Sequence, residues 1–195
     1  GAGMSLAEVR LGTPRLIRRL PRIEEFDRFA ELQGDADAAR HIGGAVSRTE
    51  AWRRFLWQPG AWQVQGFGMF AVIERDSGSW LGQTGPWRPE GWPGNEIGYA
   101  FHPDVWGRGY ALEAATAAID WSLQALGWDE FIHCIAPENT ASQKLATRLG
   151  STLRGPAALP PPHAHMTVDV WGQTRAQWLR NSARDVSPGN PRSIT

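Results

Sequence analysis

The feature that most constrains this sequence is a glycine loop between a short β-type run and a long amphipathic helix. The run Glu96–Phe101 has strand character, and the segment 109–126 places apolar residues on one stripe before Gly127, which suits a left-handed helix end. Gly107 and Gly109 in the connecting loop lack a Cβ, so a ligand can approach the backbone closely there. Amides at a helix N-terminus favour negative charge, so the segment predicts a cradle for a phosphate or pyrophosphate.

A lone Gly-x-Gly is also typical of a plain tight turn, in which Arg108 would be solvated rather than aimed at phosphate oxygens. Two other phosphate-binding motifs do not fit. A dinucleotide fingerprint that starts at Gly107 needs a small residue where Leu112 stands. A Walker-type loop needs Gly-Lys-Ser/Thr, but the only lysine, Lys144, lies in another segment.

The rest of the chain predicts a mixed sheet with helices on its faces, in one domain over residues 4–180. Ser47 or Thr49 is expected to begin a helix that ends at Pro59, and Asn139 to begin one that ends at Gly150. In chain order the predicted elements are strand 16–20, helices 23–32 and 47–59, strands 67–74, 80–87 and 96–101, helix 109–126, strand 131–136, helix 139–150, a loop at 155–162 and strand 166–171.

The composition argues against several classes of binding partner and cellular location. Twenty basic residues balance 20 acidic ones, which disfavours nucleic acid and anionic membranes as partners. Cys134 is the only cysteine, and no apolar stretch approaches the ~18 to 20 residues that span a bilayer, so we expect a reducing, cytoplasmic setting. Residues 1–3 have the character of an expression-tag remnant, and residues 181–195 that of a flexible tail.

Three further motifs accompany the glycine loop and together carry a resemblance to a known family. The loop and its flanks are Trp106–Ala111 (WGRGYA) with Glu113, and one strand and helix later come Asn139–Ser142 (NTAS) and the pair Leu149–Gly150. The chain resembles the GNAT N-acetyltransferases, specifically the ribosomal-protein (RimJ/RimL) branch, whose entry into the first strand also matches the run 13–16 (TPRL). The resemblance spans about residues 13–171.

This resemblance implies an α/β (α+β) GNAT fold. Its central sheet is mixed and mostly antiparallel, with about six or seven strands that splay at the cofactor site, and about four helices flank it. It also implies acetyl-CoA as the cofactor. The implied binding residues are the pantetheine strand Tyr99, Ala100, Phe101 and His102, the pyrophosphate loop Trp106, Gly107, Arg108, Gly109, Tyr110 and Ala111, and the helix contacts Asn139, Ser142 and Lys144.

The implied reaction is direct transfer of an acetyl group to a primary amine, on a protein N-terminus or a small molecule. A catalytically silent acyl-CoA-binding module is the alternative. Glu96 is the candidate base, although an unshifted glutamate is too weak and would need burial, and the other interpretation is a solvated strand-end carboxylate. Ser142 is the candidate acid, because no tyrosine stands near residues 144–148, or else only a helix cap.

The acceptor side is expected to be rich in indole, since the chain has 11 tryptophans against seven phenylalanines and two tyrosines. Trp87, Trp92, Glu96 and His165 are the candidate acceptor contacts. Four more tryptophans are expected on the same side: Trp52, Trp57, Trp62 and Trp80. His163 and His165 lack a third ligand at metal-binding spacing, so no metal site is expected, and His133 is interpreted as a core histidine. The protein is expected to be a monomer or a homodimer.

Overall fold

The computed structural model describes residues 9–184, in which eight strands form one mixed sheet. The sheet order is β1-β2-β3-β4-β5-β6-β8-β7, and every neighbouring pair is antiparallel except β5 with β6. The strands are β1 (Arg10–Gly12), β2 (Leu16–Arg19), β3 (Phe70–Glu74), β4 (Trp80–Trp87), β5 (Glu96–Phe101), β6 (Glu130–Ile135), β7 (Thr152–Ala157) and β8 (Val168–Thr174). The predicted mixed, mostly antiparallel sheet is therefore confirmed, with slightly more strands than expected.

Helices cover both faces of this sheet. They are α1 (Phe26–Gly34), α2 (Arg48–Gln65), α3 (Tyr110–Ala125), α4 (Thr140–Arg148) and α5 (Arg175–Arg184). Successive residues of a strand point to opposite faces, and on β3 Ala71 and Ile73 pack with α1 and α2, whereas Val72 packs with α3. The site-bearing strand β5 thus has α1 and α2 on one side and α3 on the other. No helix in residues 9–184 is both long and apolar enough to cross a membrane.

The second helix does not end at Pro59 as predicted but continues to Gln65. Two buried side chains in its last turns form hydrogen bonds with the backbone of Met69, the residue that precedes β3. Gln58 Oε1 accepts a hydrogen bond from the Met69 amide at 2.7 Å, and Trp62 Nε1 donates to the Met69 carbonyl at 2.9 Å. These buried contacts favour continuation of the helix beyond Pro59, although a proline removes one hydrogen bond from a helix interior.

Several other boundaries differ from the predictions because apolar pattern alone does not mark them. β1 is short, and β7 is a largely exposed edge strand, so neither carries a hydrophobic alternation. β3 begins at Phe70 rather than 67, and β8 runs later than predicted, to Thr174. Helix α5 carries the fully buried Trp178 and crosses the predicted domain end at residue 180. The remaining predicted tail, 185–195, and residues 1–3 lie outside the described residues.

Candidate functional site

The parallel strands β5 and β6 separate immediately after they meet. Their ladder consists of the pair Glu96 and Ile132, and beyond it side chains rather than backbone bonds connect the two sides. His133 Nδ1 lies 2.8 Å from the Ile97 carbonyl oxygen, and the Tyr99 hydroxyl donates to the Ser142 carbonyl at 3.0 Å across the opening. A cavity of about 680 Å³ occupies this opening and extends beneath α2, a size typical of small-molecule sites.

The predicted glycine loop leads from the end of β5 to the first turn of α3. Gly107 and Gly109 have φ angles of +81° and +78°, a region that favours glycine, and a Cβ at Gly107 would meet no atom within 4 Å. The first amides of α3, at Tyr110 and Ala111, are among those that a helix leaves without intrahelical acceptors. Trp106 is exposed, and its Nε1 donates to the Phe101 carbonyl at 2.8 Å, which ties the loop back to β5.

A clamp from the turn between β1 and β2 holds this loop. Glu113 accepts hydrogen bonds from the Thr13 hydroxyl at 2.5 Å and from Arg15 Nε at 2.7 Å, while Arg15 Nη1 donates to the Arg108 carbonyl at 2.9 Å. The Arg15 guanidinium also lies 4.3 Å from the centroid of the Tyr110 ring. Arg15 was not among the candidate site residues, although it lies in the 13–16 run and Glu113 in the glycine-loop motif.

Glu96 is buried at the point where β5 and β6 diverge. Its carboxylate accepts hydrogen bonds from the Cys134 amide at 2.6 Å and from Trp92 Nε1 at 3.1 Å. Burial raises the pKa of Glu96 to about 7, against the lowering effect of those two hydrogen bonds. The burial that a glutamate needs in order to act as a base near neutral pH is therefore present.

The N-terminus of α4 forms the opposite side of the opening. Asn139 caps the helix by accepting a hydrogen bond from the Ser142 amide at 3.2 Å, and both residues line the cavity. Burial raises the pKa of Tyr99, whose hydroxyl lies against the same turn. Lys144, also assigned to the cofactor from the sequence, is exposed on α4 and is not among the residues that line the cavity.

The remaining strand residues assigned to the cofactor have different surroundings. Ala100 lines the cavity, whereas Phe101 is buried against α3. The His102 side chain points elsewhere: its Nε2 lies 2.9 Å from Glu31 Oε2, and its Nδ1 accepts from the Asp104 amide. Only the backbone of His102 therefore remains available for a role in binding.

The predicted indole wall is present in part, along the side of the cavity formed by α2 and the loops before β5 and β8. Trp57, Trp87 and Trp92 line it, but Trp62 and Trp80 are core residues and Trp52 packs on Phe26 at the surface. The structure places His163 rather than His165 in the wall, because the loop 158–167 turns His165 into solvent. The His163 ring contacts Trp57 and Trp92 edge-on, at centroid distances of 6.3 and 6.4 Å.

Two further titratable groups lie beside the opening. His133 is fully buried with partners at both ring nitrogens, and burial lowers its pKa to about 4, so it is the neutral core histidine that was expected. Burial also raises the pKa of the Cys134 thiol, and the nearby Glu96 carboxylate raises it further. The thiol is therefore a poor nucleophile, consistent with transfer that needs no acyl-enzyme.

The residues present fit an acetyl-CoA molecule. Glycine backbone at a helix N-terminus suits the pyrophosphate, and the space beside Gly107 is open, although the loop at 106–111 does not itself line the cavity. The separation of β5 and β6 leaves an edge of β5 without a strand partner along Gly98–Ala100, which suits the amide groups of a pantetheine arm. No cluster of potential metal ligands occurs within residues 9–184.

Comparison with known proteins identifies the class. Residues 15–152 match the acetyltransferase (GNAT) domain family, and the chain belongs to that family. It is an acetyltransferase, and its cofactor is acetyl-CoA.

Individual relatives span nearly the whole chain. This chain is 28% identical to YkkB of Bacillus subtilis (strain 168) over 181 residues. That match covers 90% of this chain and 98% of YkkB. An acetyltransferase from Agrobacterium tumefaciens str. C58 shares the fold with a TM-score of 0.77 and 24% identity, covering 90% of this chain and 99% of its own. RimL, a ribosomal-protein α-N-acetyltransferase solved with coenzyme A, shares the fold with a TM-score of 0.67 and 16% identity. The match covers 83% of this chain and 95% of the RimL chain. The RimJ/RimL resemblance of the sequence is thus confirmed at the level of fold.

Proposed function

We propose that this acetyltransferase transfers the acetyl group directly to a primary amine, with Glu96 as the base. The observation that carries the proposal is the position of a buried carboxylate, with a pKa of about 7, at the point where β5 and β6 diverge. Amine acceptors need such a group because only the neutral amine is a nucleophile. At pH 7, deprotonation costs about 1.4 kcal/mol for a peptide α-amine of pKa ~8 and roughly 4.6 kcal/mol for a lysine of pKa ~10.4.

Bound acetyl-CoA supplies an activated thioester, and the protein supplies position and proton transfer. The loop at 106–111 and the N-terminus of α4 hold the two ends of the cofactor site, and their glycine and cap geometry is already formed. An acceptor amine bound beside Glu96 would gain most of its rate from proximity and orientation. Glu96 takes the amine proton as the new bond forms.

Ser142 lies on the cavity wall at the first turn of α4, and its carbonyl is occupied by the Tyr99 hydroxyl. Its own hydroxyl is proposed to donate a hydrogen bond to the departing sulfur. Tyr99 is a weaker candidate for this role, because burial raises its pKa and its hydroxyl proton is directed to the Ser142 carbonyl.

The test is release of coenzyme A with a panel of peptides, polyamines and small amines, for the wild type and for Glu96→Gln. An amine acetyltransferase releases coenzyme A with at least one acceptor, and the variant loses about 10²-fold or more of that rate. The alternative, a silent acyl-CoA-binding module, predicts tight acetyl-CoA binding, no release with any amine, and no change in the variant. That second result would refute the proposal.

A further inference from the structure

Arg54 is a charged side chain in the cavity wall, and only some of its hydrogen-bond donors have partners within the protein. It lies on α2, half-buried, and its Nη1 donates to Gln33 Oε1 at 3.0 Å and to the Ile42 carbonyl at 3.4 Å. Its Nε is buried without a hydrogen-bond partner. Among residues 9–184, no carboxylate forms an ion pair with it within 4.0 Å.

The other ionisable groups of the cavity do not neutralise Arg54. Glu90 is exposed at the rim, and Glu96 holds the opposite end of the wall. His41 lies 3.8 Å from the exposed Glu138. Burial, and then the Arg54 charge, lower the pKa of His163, so that this ring is neutral at pH 7. A fixed positive charge in an apolar wall is costly unless an anion meets it, and protein groups on the wall do not supply one.

Arg54 and Glu96 are the two ends of one continuous wall of aromatic rings. The Arg54 guanidinium lies 5.8 Å from the centroid of the Trp57 ring, and His163 bridges Trp57 to Trp92. The Trp92 indole then donates to the Glu96 carboxylate. A molecule lying along this wall meets a proton acceptor at one end, apolar rings in the middle and a cationic donor at the other end.

We infer that Arg54 binds a carboxylate of the acceptor, which is therefore a small amino acid-like molecule with an apolar or aromatic body between its amine and its carboxylate. The inference rests on the proposed amine acetylation. The guanidinium has donors left over after its bonds to Gln33 and Ile42, and a fork of donors suits a carboxylate. Three aromatic rings separate Arg54 from Glu96, which favours acceptors whose two charged groups are several bonds apart.

The test compares acceptors that differ only in the carboxylate: 4-(aminomethyl)benzoate with benzylamine, and 4-(2-aminoethyl)benzoate with phenethylamine. For the wild type, the carboxylate member of at least one pair is expected to have a KM about tenfold lower or better. Arg54→Gln should raise that KM about tenfold while leaving the KM of the matched simple amine within about twofold, and Arg54→Lys should retain part of the preference. Arg53→Gln is the matched control, because Arg53 is an exposed neighbour on the same helix that pairs with Glu50.

Equal use of both members of every pair by the wild type would overturn the inference, as would an equal loss for both members in Arg54→Gln, which would mean that Arg54 only anchors Gln33 and Ile42. Preference for a peptide N-terminus over every carboxylate-bearing small amine would also overturn it. Equilibrium binding of 4-(aminomethyl)benzoate, measured by quenching of tryptophan fluorescence, separates this inference from the proposed function. If binding depends on Arg54 but coenzyme A is never released, the acetyl transfer to amines fails and the carboxylate site stands.

Discussion

The Trp92 indole N–H donates to the Glu96 carboxylate at 3.1 Å, and this bond joins the acceptor wall to the candidate base. The same indole also packs edge-on with the His163 ring, at a centroid distance of 6.4 Å. Trp92 therefore belongs to the wall proposed to contact the acceptor and also orients the Glu96 carboxylate. A ligand that moves this indole would alter the proton affinity of the carboxylate, which links acceptor binding to base strength.

Replacing Trp92 should shift the pH dependence of the reaction rather than abolish it. Hydrogen bonds to the charged form lower the pKa of a carboxyl, so Trp92→Phe is expected to raise the pKa of Glu96 by about half to one unit. The pH profile of kcat/KM would move upward by that amount, with a retained plateau at high pH. Trp57→Phe removes an indole from the same wall without touching Glu96, so an equal shift in both variants would contradict the assignment.

Glu96→Gln should remove the ionisation near pH 7 from the kinetics. An aromatic amine of pKa below ~5 is the acceptor to use, because it is neutral throughout and leaves only the titration of the enzyme visible. With the wild type, kcat/KM should rise as the pH passes about 7 and then level off. The variant should lack this rise and be slower by about 10²-fold. A profile with the same midpoint in the variant would assign the titration to another group.

The stability of the protein should show two opposing titrations between about pH 4 and pH 7. The folded-state pKa of Glu96 is raised from 4.5 to about 7, so folding takes up a proton in this window and stability falls as pH rises, by roughly 3 kcal/mol in total. The folded-state pKa of His133 is lowered from 6.5 to about 4, so stability falls as pH decreases, by a similar amount. In the wild type these effects nearly cancel over pH 4.5 to 6.5.

Denaturant unfolding at several pH values would separate the two groups. Glu96→Gln should become less stable as pH falls through this window, and His133→Gln should become less stable as pH rises, each with a slope of at most about 1.4 kcal/mol per pH unit. The slopes are compared rather than the absolute stabilities, since either buried substitution also changes packing. Parallel slopes in the two variants would mean that at least one of the two pKa shifts is not as described.

Sequence pattern was sufficient for elements that follow a local rule. The predicted turn at Gly127 and the Asn139 cap are both present, because each depends only on the residue and its immediate neighbours. The course of α2 beyond Pro59 could not be predicted, since it depends on bonds from Gln58 and Trp62 to Met69, a residue on another element. The edge strand β7 gave no signal because its residues face solvent.

For the candidate site, the sequence indicated which residues are functional candidates but not which residues from other elements surround them. Glu96 was recognisable from its strand, whereas its burial and its bond to the Cys134 amide arise from the meeting of two strands. Arg54 and Arg15 were missed for the same reason: their significance comes from distant partners, Gln33 for one and Glu113 for the other. His165 was assigned to the acceptor, and the loop turns His163 inward instead, a choice that residue type could not decide.

The glycine loop offers a test of cofactor binding with a closely matched control. Gly107 and Gly78 both have a positive φ, +81° and +73°, and at neither would a Cβ meet an atom within 4 Å, so alanine should cost the same strain of about 1 kcal/mol at each. Gly78 lies in the turn between β3 and β4, away from the opening between β5 and β6. Only Gly107→Ala adds a methyl group where a pyrophosphate would meet the loop backbone.

Calorimetry with acetyl-CoA should therefore give a dissociation constant about tenfold weaker for Gly107→Ala and unchanged for Gly78→Ala, while the two variants lose similar thermal stability. If the two alanines weakened acetyl-CoA binding alike, backbone strain rather than blocked approach would explain the effect. If neither changed it, the loop at 106–111 would not be the pyrophosphate site, and the N-terminus of α4, which lines the cavity, would be the next helix end to test.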